Sequence, residues 1–230
     1  MAASMSNDRN IPIVGLLPRL QALDTTQVSD ALDRLNISGV ALGLRALSSG
    51  RRCVAGICRT VQVGVSDESR PSRHLASSTV EEAGSDDVVV ISNSGRVDVS
   101  SWGGLLSLAA SRKGIRGVVV DGACRDISES IELDFPVFAR AVVPVSARRR
   151  LTELSQGLPV DIAGVSVAPG DVVIADSNGV VFIPVSVALD VVLIAEEIAR
   201  IESQMMERLR NGASVVDVMH DRSFDSDEKG

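Results

Sequence analysis

Short apolar runs, each closed by glycine or by small polar residues, recur along the chain. Val118–Val120, preceded by Gly117 and followed by Asp121, is too short for a helix and reads as a fully buried strand that ends where the polar residues begin. Val88–Ile91 is a similar strand between the polar turns at 85–87 and 92–95. Val172–Asp176 and Val180–Pro184, joined by Ser177-Asn178-Gly179, read as a hairpin. Cys53–Val63 has the β-branched content of a long, glycine-bent strand, Phe135–Arg140 reads as a short one, and Val160–Val167 alternates like one half-exposed strand. Helical periodicity lies between these runs. After two prolines in 11–23, Asp24-Thr25-Thr26 offers an N-cap for a helix over Gln27–Leu35 with Val28, Ala31, Leu32 and Leu35 on one face. Arg45–Gly50 reads as a turn-rich connector, Ser66–Ser72 as a charged loop, and the stretch from Ser72 towards Ala83 as a short helix. Ser101–Lys113 reads as a glycine-rich turn entering a helix that buries Leu105, Leu108 and Ala109. Through Gly114 that helix feeds Val118–Val120, which makes a strand–helix–strand unit. Ser186–Leu209 predicts a long C-terminal helix with Val187, Val191, Ile194, Ile198 and Ile201 along one side, a stripe suited to a neighbouring subunit.

With 230 residues, 45% of them hydrophobic, the chain has enough apolar material for a substantial core in one domain. No apolar run approaches the ~20 residues that cross a bilayer, and the first residues lack a signal peptide's basic-then-apolar order, so a cytoplasmic protein with no membrane partner is expected. A net charge of −7 and an aromatic content of 2% argue against a nucleic-acid partner. The three cysteines show no CxxC spacing and have no histidine nearby, so neither a zinc site nor a disulfide framework is indicated. Cys124, beside Arg125, is a candidate thiolate, again without a histidine neighbour in sequence. His74 reads as a surface residue, and Arg148-Arg149-Arg150 as a solvated loop or subunit salt bridges, with phosphate binding as the alternative.

The candidate chemistry gathers after the central buried run. Asp121, Arg125 and Asp126 follow it at once, and Gly122 is expected to turn the backbone so that the charges project from one edge. Arg125 presents a planar fork that matches a carboxylate, and Asp126 is a hard oxygen ligand of the kind Mg²⁺ prefers. The alternative is an Arg–Asp surface pair. Upstream, the Gly103-Gly104 turn opens a helix whose free amide groups suit a carboxylate or phosphate, the alternative being close packing of that helix on a sheet. The strand–helix–strand connection would turn both features towards one cleft.

Taken together, Trp102-Gly103-Gly104-Leu105-Leu106, the segment Gly117–Asp126, Phe135–Arg140, Pro169-Gly170-Asp171, Ala175-Asp176 and Gly179-Val180 resemble the family of class II 4-hydroxy-4-methyl-2-oxoglutarate aldolases and the regulator of ribonuclease activity A. The resemblance covers nearly the whole chain and implies one domain over residues 11–220, with disordered tails at 1–10 and 221–230. It implies an α/β fold, a layered α/β/β/α sandwich of the swivelling β/β/α type with a long C-terminal helix, assembled as a homotrimer or homohexamer with sites between subunits. It also implies a Mg²⁺ or Mn²⁺ ion and a pyruvate-like 2-oxo acid substrate. By the same resemblance Asp126 coordinates the metal, largely through waters, and Arg125 binds the oxygens of the 2-oxo acid and stabilises an enolate. The amides of Gly103, Gly104, Leu105 and Leu106 hold the carboxylate, and Glu202 of a neighbouring subunit approaches the metal. Charge logic agrees, because an enolate forming on C–C cleavage needs positive charge aimed at its oxygen. The chain departs from the family at Gly104, where aldolases carry an acid that positions a water for proton transfer, a contribution of typically ~10²–10⁴-fold. The expected activity is a metal-dependent lyase working by retro-aldol cleavage or oxaloacetate decarboxylation through a pyruvate enolate, with Asp121 or a neighbour's acid in the missing role. The alternatives are a non-catalytic regulator that binds a ribonuclease, and related enolate chemistry on a different, larger substrate.

Overall fold

The computed structural model describes residues 12–48, 53–66 and 74–219. The tails expected at 1–10 and 221–230, the outermost residues of the 11–220 domain, most of the charged loop at 66–72 and the end of the 45–50 connector lie outside the described residues.

Burial decides where helices form. Leu16, Leu17 and Leu20 are buried along α1 (Ile13–Gln21), which accommodates Pro18 inside the helix. α2 (Thr25–Arg34) starts where the capping residues predict, with the Asp24 N–H donating to Gln27 Oε1 at 3.0 Å. The strands are β1 (Arg45–Ala46), β2 (Val54–Val65), β3 (Asp87–Ser100), β4 (Gly117–Cys124), β5 (Val137–Val142), β6 (Leu151–Gln156), β7 (Val160–Ile162), β8 (Val165–Val167), β9 (Val172–Ala175) and β10 (Val180–Ile183). All but β7 and β8 join one mixed sheet in the order β1-β5-β4-β3-β2-β9-β10, with β6 also paired to β2. β2, β3, β4 and β5 run parallel. The crossovers between them carry the helices α3 (Ser77–Glu82), α4 (Gly104–Arg112) and α5 (Ile127–Glu132). The long helix α6 spans Ala188–Arg210, as its stripe predicts, and α7 (Val215–Val218) follows it. No helix among the described residues is long and apolar enough to cross a membrane.

The central strands read as unbroken apolar runs because both faces are dry. Val89, Ile91, Val118 and Val120 pack with Leu106 and Ala110 of α4 on one side. Val88, Val90 and Val119 point the other way, towards Ile162 and Val167 of the β7–β8 hairpin. α1, α2 and α6 cover β9 and β10 in a second helical layer, where Leu17, Leu20 and Leu32 meet Ile174, Ile183 and Val191. The result is the layered α/β architecture expected, with a long C-terminal helix.

Three local expectations are corrected. β4 does not end at Val120 but continues through Cys124, every residue buried. Asp121 lies inside it, where it accepts hydrogen bonds from Arg140 Nε and, at 3.1 Å, from the Ala163 N–H. Gly122 makes no turn; it admits β3, since a Cβ there would sit 2.9 Å from both Arg96 O and Asn93 Cβ. The polar residues 92–95 do not close β3 either. They form a bulge, with Ser94 and Gly95 at φ 51° and 71° and a register shift between Ser92 and Arg96. Residues 160–167 fold as a hairpin rather than one strand, because Ala163 and Gly164 take φ 54° and 88°, the positive values a tight hairpin turn needs.

Asp176 ties the β9–β10 turn to the start of α2. Its Oδ2 accepts the Thr25 N–H at 2.9 Å, and its Oδ1 accepts the Thr25 hydroxyl and the Asn178 N–H, each at 2.7 Å. Removing it leaves these buried donors without acceptors, so Asp176→Ala is expected to cost about 3 kcal/mol. The measurement is a lowered urea midpoint at unchanged slope; a loss below about 1 kcal/mol would contradict the assignment.

Candidate functional site

Two backbone hydrogen bonds bring the turn before α4 to the end of β4: Ser101 N–H to Ala123 O at 2.9 Å and Arg125 N–H to Trp102 O at 3.0 Å. Trp102 makes this junction rigid. It is buried, stacks on Phe135 with ring centroids 6.1 Å apart, and donates from Nε1 to Ser107 Oγ at 2.8 Å. Ser107 Oγ in turn lies 2.8 Å from Ser130 Oγ of α5. This hydroxyl chain turns Leu106, Ser107 and Ala110 inwards on α4. Leu105, Leu108 and Ala109, expected on the buried side, face outwards instead, with Leu105 76% exposed. Apolarity alone pointed to the wrong face, because the side that packs is held by polar bonds.

At the strand end Asp126 takes φ 56°, a left-handed conformation that aspartate tolerates, and so leads into α5. Its Oδ2 receives Arg125 Nε at 3.1 Å and the Gly104 N–H at 3.2 Å. Gly103 is extended at φ −161°, so space rather than backbone conformation requires glycine. A Cβ there would lie 2.9 Å from Asp126 Oδ2 and 3.3 Å from Arg125 Nε.

A cavity of about 1190 Å³ opens in front of this pair, and Arg125, Asp126, Gly103, Leu105 and Leu106 all line it. Of the amides expected to hold a carboxylate, that of Gly104 is already given to Asp126 and that of Leu106 bonds Gly103 O at 3.1 Å. The Leu105 amide, at the second helical position, has no intrahelical acceptor. Glu202 lies elsewhere in its own protomer, where its Oε2 accepts Gln27 Nε2 at 2.8 Å between α2 and α6. Asp121, held by Arg140 and the Ala163 amide, is outside the cavity and does not replace the acid missing at Gly104. Cys124 is no thiolate: it is buried, and burial pushes its thiol up to about 11.

Sequence reasoning kept anion binding by Arg148–Arg150 only as an alternative and missed Glu129. Arg148, Arg149 and Arg150 are exposed, as a solvated loop would be, yet line the same cavity, as does His74. Arg149 takes φ 62°, a strained conformation of the kind that gathers at functional sites. Among the described lining residues four guanidinium groups stand against the one carboxylate of Asp126, a balance that favours anions in a chain of net charge −7. The space beside Gly104 holds Glu129, which follows Asp126 by one helical turn; that spacing was the available signal.

The family model described as RraA-like, Aldolase/RraA, matches residues 25–182. The chain belongs to the RraA-like family. It is 34% identical over 162 residues to the 4-hydroxy-4-methyl-2-oxoglutarate aldolase of Thermus thermophilus, covering 70% of this chain and 92% of that protein. It is 30% identical over 210 residues to DlpA of Legionella pneumophila, covering 91% of this chain but 34% of that longer protein. Among solved structures, Streptomyces coelicolor RraAS2, described as an unusual member of the RNase ES inhibitor RraA protein family, superposes with a TM-score of 0.75 at 27% identity, covering 88% of this chain and 98% of its own.

Among the described residues of this RraA-like chain, no group of three or more His, Cys, Asp or Glu side chains is placed to hold a metal. Both contacts of the Asp126 carboxylate fall on Oδ2, which leaves Oδ1 for a cation. One carboxylate oxygen fits a Mg²⁺ or Mn²⁺ ion that keeps most of its waters, not a closed zinc cage. Gly103→Ala should displace the Arg125–Asp126 pair while moving only side-chain ends. Thermal unfolding is expected to change by less than about 1 kcal/mol. Calorimetric affinity for oxalate with Mn²⁺ is expected to fall about tenfold; unchanged affinity would contradict the steric argument.

Proposed function

We propose that this RraA-like protein is a divalent-metal-dependent lyase that cleaves a C–C bond of a 2-oxo acid bearing a second anionic group, through a pyruvate enolate. The observation that carries this reading is the Arg125–Asp126 pair, 3.1 Å apart on the wall of an arginine-lined cavity. The named aldolase relative and the family membership support the reaction class.

Arg125 binds the oxygens of the 2-oxo acid, and its permanent charge stabilises the negative charge that builds on the C2 oxygen as the C3–C4 bond breaks. Asp126 would hold a Mg²⁺ or Mn²⁺ ion through Oδ1 and its waters, and the ion would supply polarisation of the oxo group. The Gly104 amide and Arg125 fix the orientation of that carboxylate. The Leu105 amide faces the substrate carboxylate. Arg148, Arg149 and Arg150 receive the distal carboxylate, which departs with the second fragment of a 4-hydroxy-2-oxo diacid. This favours aldol cleavage over oxaloacetate decarboxylation as the main activity, because in decarboxylation the distal carboxylate must itself leave as neutral CO₂. Leu105 and Leu108, exposed on α4, support assembly as a homotrimer or homohexamer in which Glu202 of the partner subunit approaches the cation.

A second reading is a non-catalytic protein that binds a ribonuclease, favoured by the likeness to RraAS2 and by the glycine at 104. Purified protein with Mg²⁺ or Mn²⁺ is expected to release pyruvate from a 4-hydroxy-2-oxo diacid and to stop on chelation. Arg125→Ala and Asp126→Ala should each lower kcat/KM by roughly 10²–10³-fold. The double change Arg149→Ala/Arg150→Ala should raise KM for the diacid about tenfold with kcat little altered. No turnover across such diacids with either metal, from a protein that retains a ribonuclease in pull-down, would establish the second reading instead.

A further inference from the structure

The cavity wall supplies a fixed cation and a carboxylate already engaged, but cleavage of a 4-hydroxy-2-oxo acid also needs a group that takes a proton from the C4 hydroxyl and returns one to C3. The Arg125 guanidinium offers donors only and has no acceptor to take a proton. Asp126 is occupied through Oδ2 by Arg125 and the Gly104 amide. We infer that Glu129 is the proton-relay residue of this site and that position 104 is glycine because the Glu129 carboxylate fills the space a side chain there would need; this rests on the lyase reading above.

A Cβ built on Gly104 would lie 1.4 Å from Glu129 Oε2 and 2.6 Å from its Cδ, so a side chain at 104 would displace that carboxylate from its place. The same point lies 3.3 Å from Asp126 Cβ, which places the Glu129 carboxylate at the back of the Arg125–Asp126 corner. Gly104 has no positive φ, so backbone conformation does not demand glycine there. The position of Glu129 follows from the junction already described. Its chain neighbour Ser130 is buried and bonded to Ser107 of α4, and Ser107 to Trp102, so α5 cannot slide along α4 without breaking that hydroxyl chain. The neighbouring backbone is closed as well, with Ser130 N–H on Asp126 O and Leu133 N–H on Glu129 O.

Glu129 also differs from the other acids near the site in what it is not doing. Asp121 is committed to Arg140 and the Ala163 amide, and Asp126 to Arg125 and Gly104. Among the described residues the Glu129 carboxylate has neither an ion pair nor a hydrogen bond; the residue is exposed and sits beside the cavity next to Asp126 rather than on its lining, so it reaches the substrate through a bridging water. Through that water Glu129 accepts the C4 hydroxyl proton. The C4 carbonyl forms, the C3–C4 bonding pair moves into the C2–C3 bond, and the C2 oxygen takes the enolate charge. The same proton then returns to C3, which yields the methyl group of pyruvate and regenerates the carboxylate.

The test uses the full chain with Mn²⁺ and three readouts: retro-aldol turnover of a 4-hydroxy-2-oxo diacid, exchange of pyruvate methyl protons with D₂O followed by NMR, and oxalate affinity by calorimetry. Glu129→Gln is expected to lower kcat and the exchange rate by roughly 10²–10³-fold. Its KM and oxalate affinity should stay within about threefold of the starting protein. Gly104→Ala keeps the glutamate but evicts it from its place, moving only a flexible side-chain end, and should reproduce the defect. Glu129→Asp should recover part of the exchange rate, and Gly104→Asp combined with Glu129→Ala should regain about tenfold over Glu129→Ala alone by returning a carboxylate to the same volume. If the unaltered protein exchanges and cleaves but Glu129→Gln and Gly104→Ala do so equally well, the inference is wrong and the lyase reading stands. If oxalate affinity falls in step with turnover, Glu129 serves packing and the inference is again overturned. An unaltered protein that neither exchanges nor cleaves removes the lyase reading and this inference with it.

Discussion

One carboxylate oxygen, Asp126 Oδ2, receives both the Arg125 guanidinium and the amide that opens α4. That convergence is not held by its own attraction. Both side chains are more than a third exposed, and a pair so exposed contributes at most about 1 kcal/mol. The scaffold holds it. β4 is buried at every position, its end is bonded to the 101–102 turn, and Trp102, Ser107 and Ser130 lock α4 to α5. Gly103 and Gly104 complete the arrangement by what they lack, since either Cβ would enter space used by Arg125, Asp126 or Glu129.

The apolar runs of β4, β9 and β10 and the stripe of α6 were legible because strands buried on both faces, and long amphipathic helices, write their environment directly into residue type. The placement of Arg125 and Asp126 just after β4, and of Gly103 just before α4, was legible for a related reason, as charges after a buried run and a glycine opening a helix. What was hidden depends on partners distant in sequence. Asp121 reads as a strand-end charge until Arg140 and the Ala163 amide are seen to hold it inside β4. The inward face of α4 is set by Ser107 and its bonds to Trp102 and Ser130, which no count of apolar residues reveals. The hairpin at 160–167 turns on positive φ at Ala163, a residue with no preference for it. Arg148–Arg150 gain their meaning from the cavity they share with Arg125.

The site combines a strongly acidic chain with a locally basic cavity, an arrangement that repels anions at long range and gathers them at short range. That charge pattern is what the proposed function uses for a small substrate with charge at both ends. The same surfaces also bear on the difference between enzyme and regulator within one fold. Under the proposed lyase reading, an acid without partners beside an arginine and a carboxylate with one open oxygen has a use that a purely binding role does not give it.

The most direct test of the central claim is a crystal structure of the protein soaked with Mn²⁺ and oxalate. The account predicts a cation on Asp126 Oδ1, largely hydrated on its protein side, with oxalate spanning the cation and the Arg125 guanidinium inside the arginine-lined cavity. Oxalate bound away from Arg125, or a cation that ignores Asp126, would contradict it.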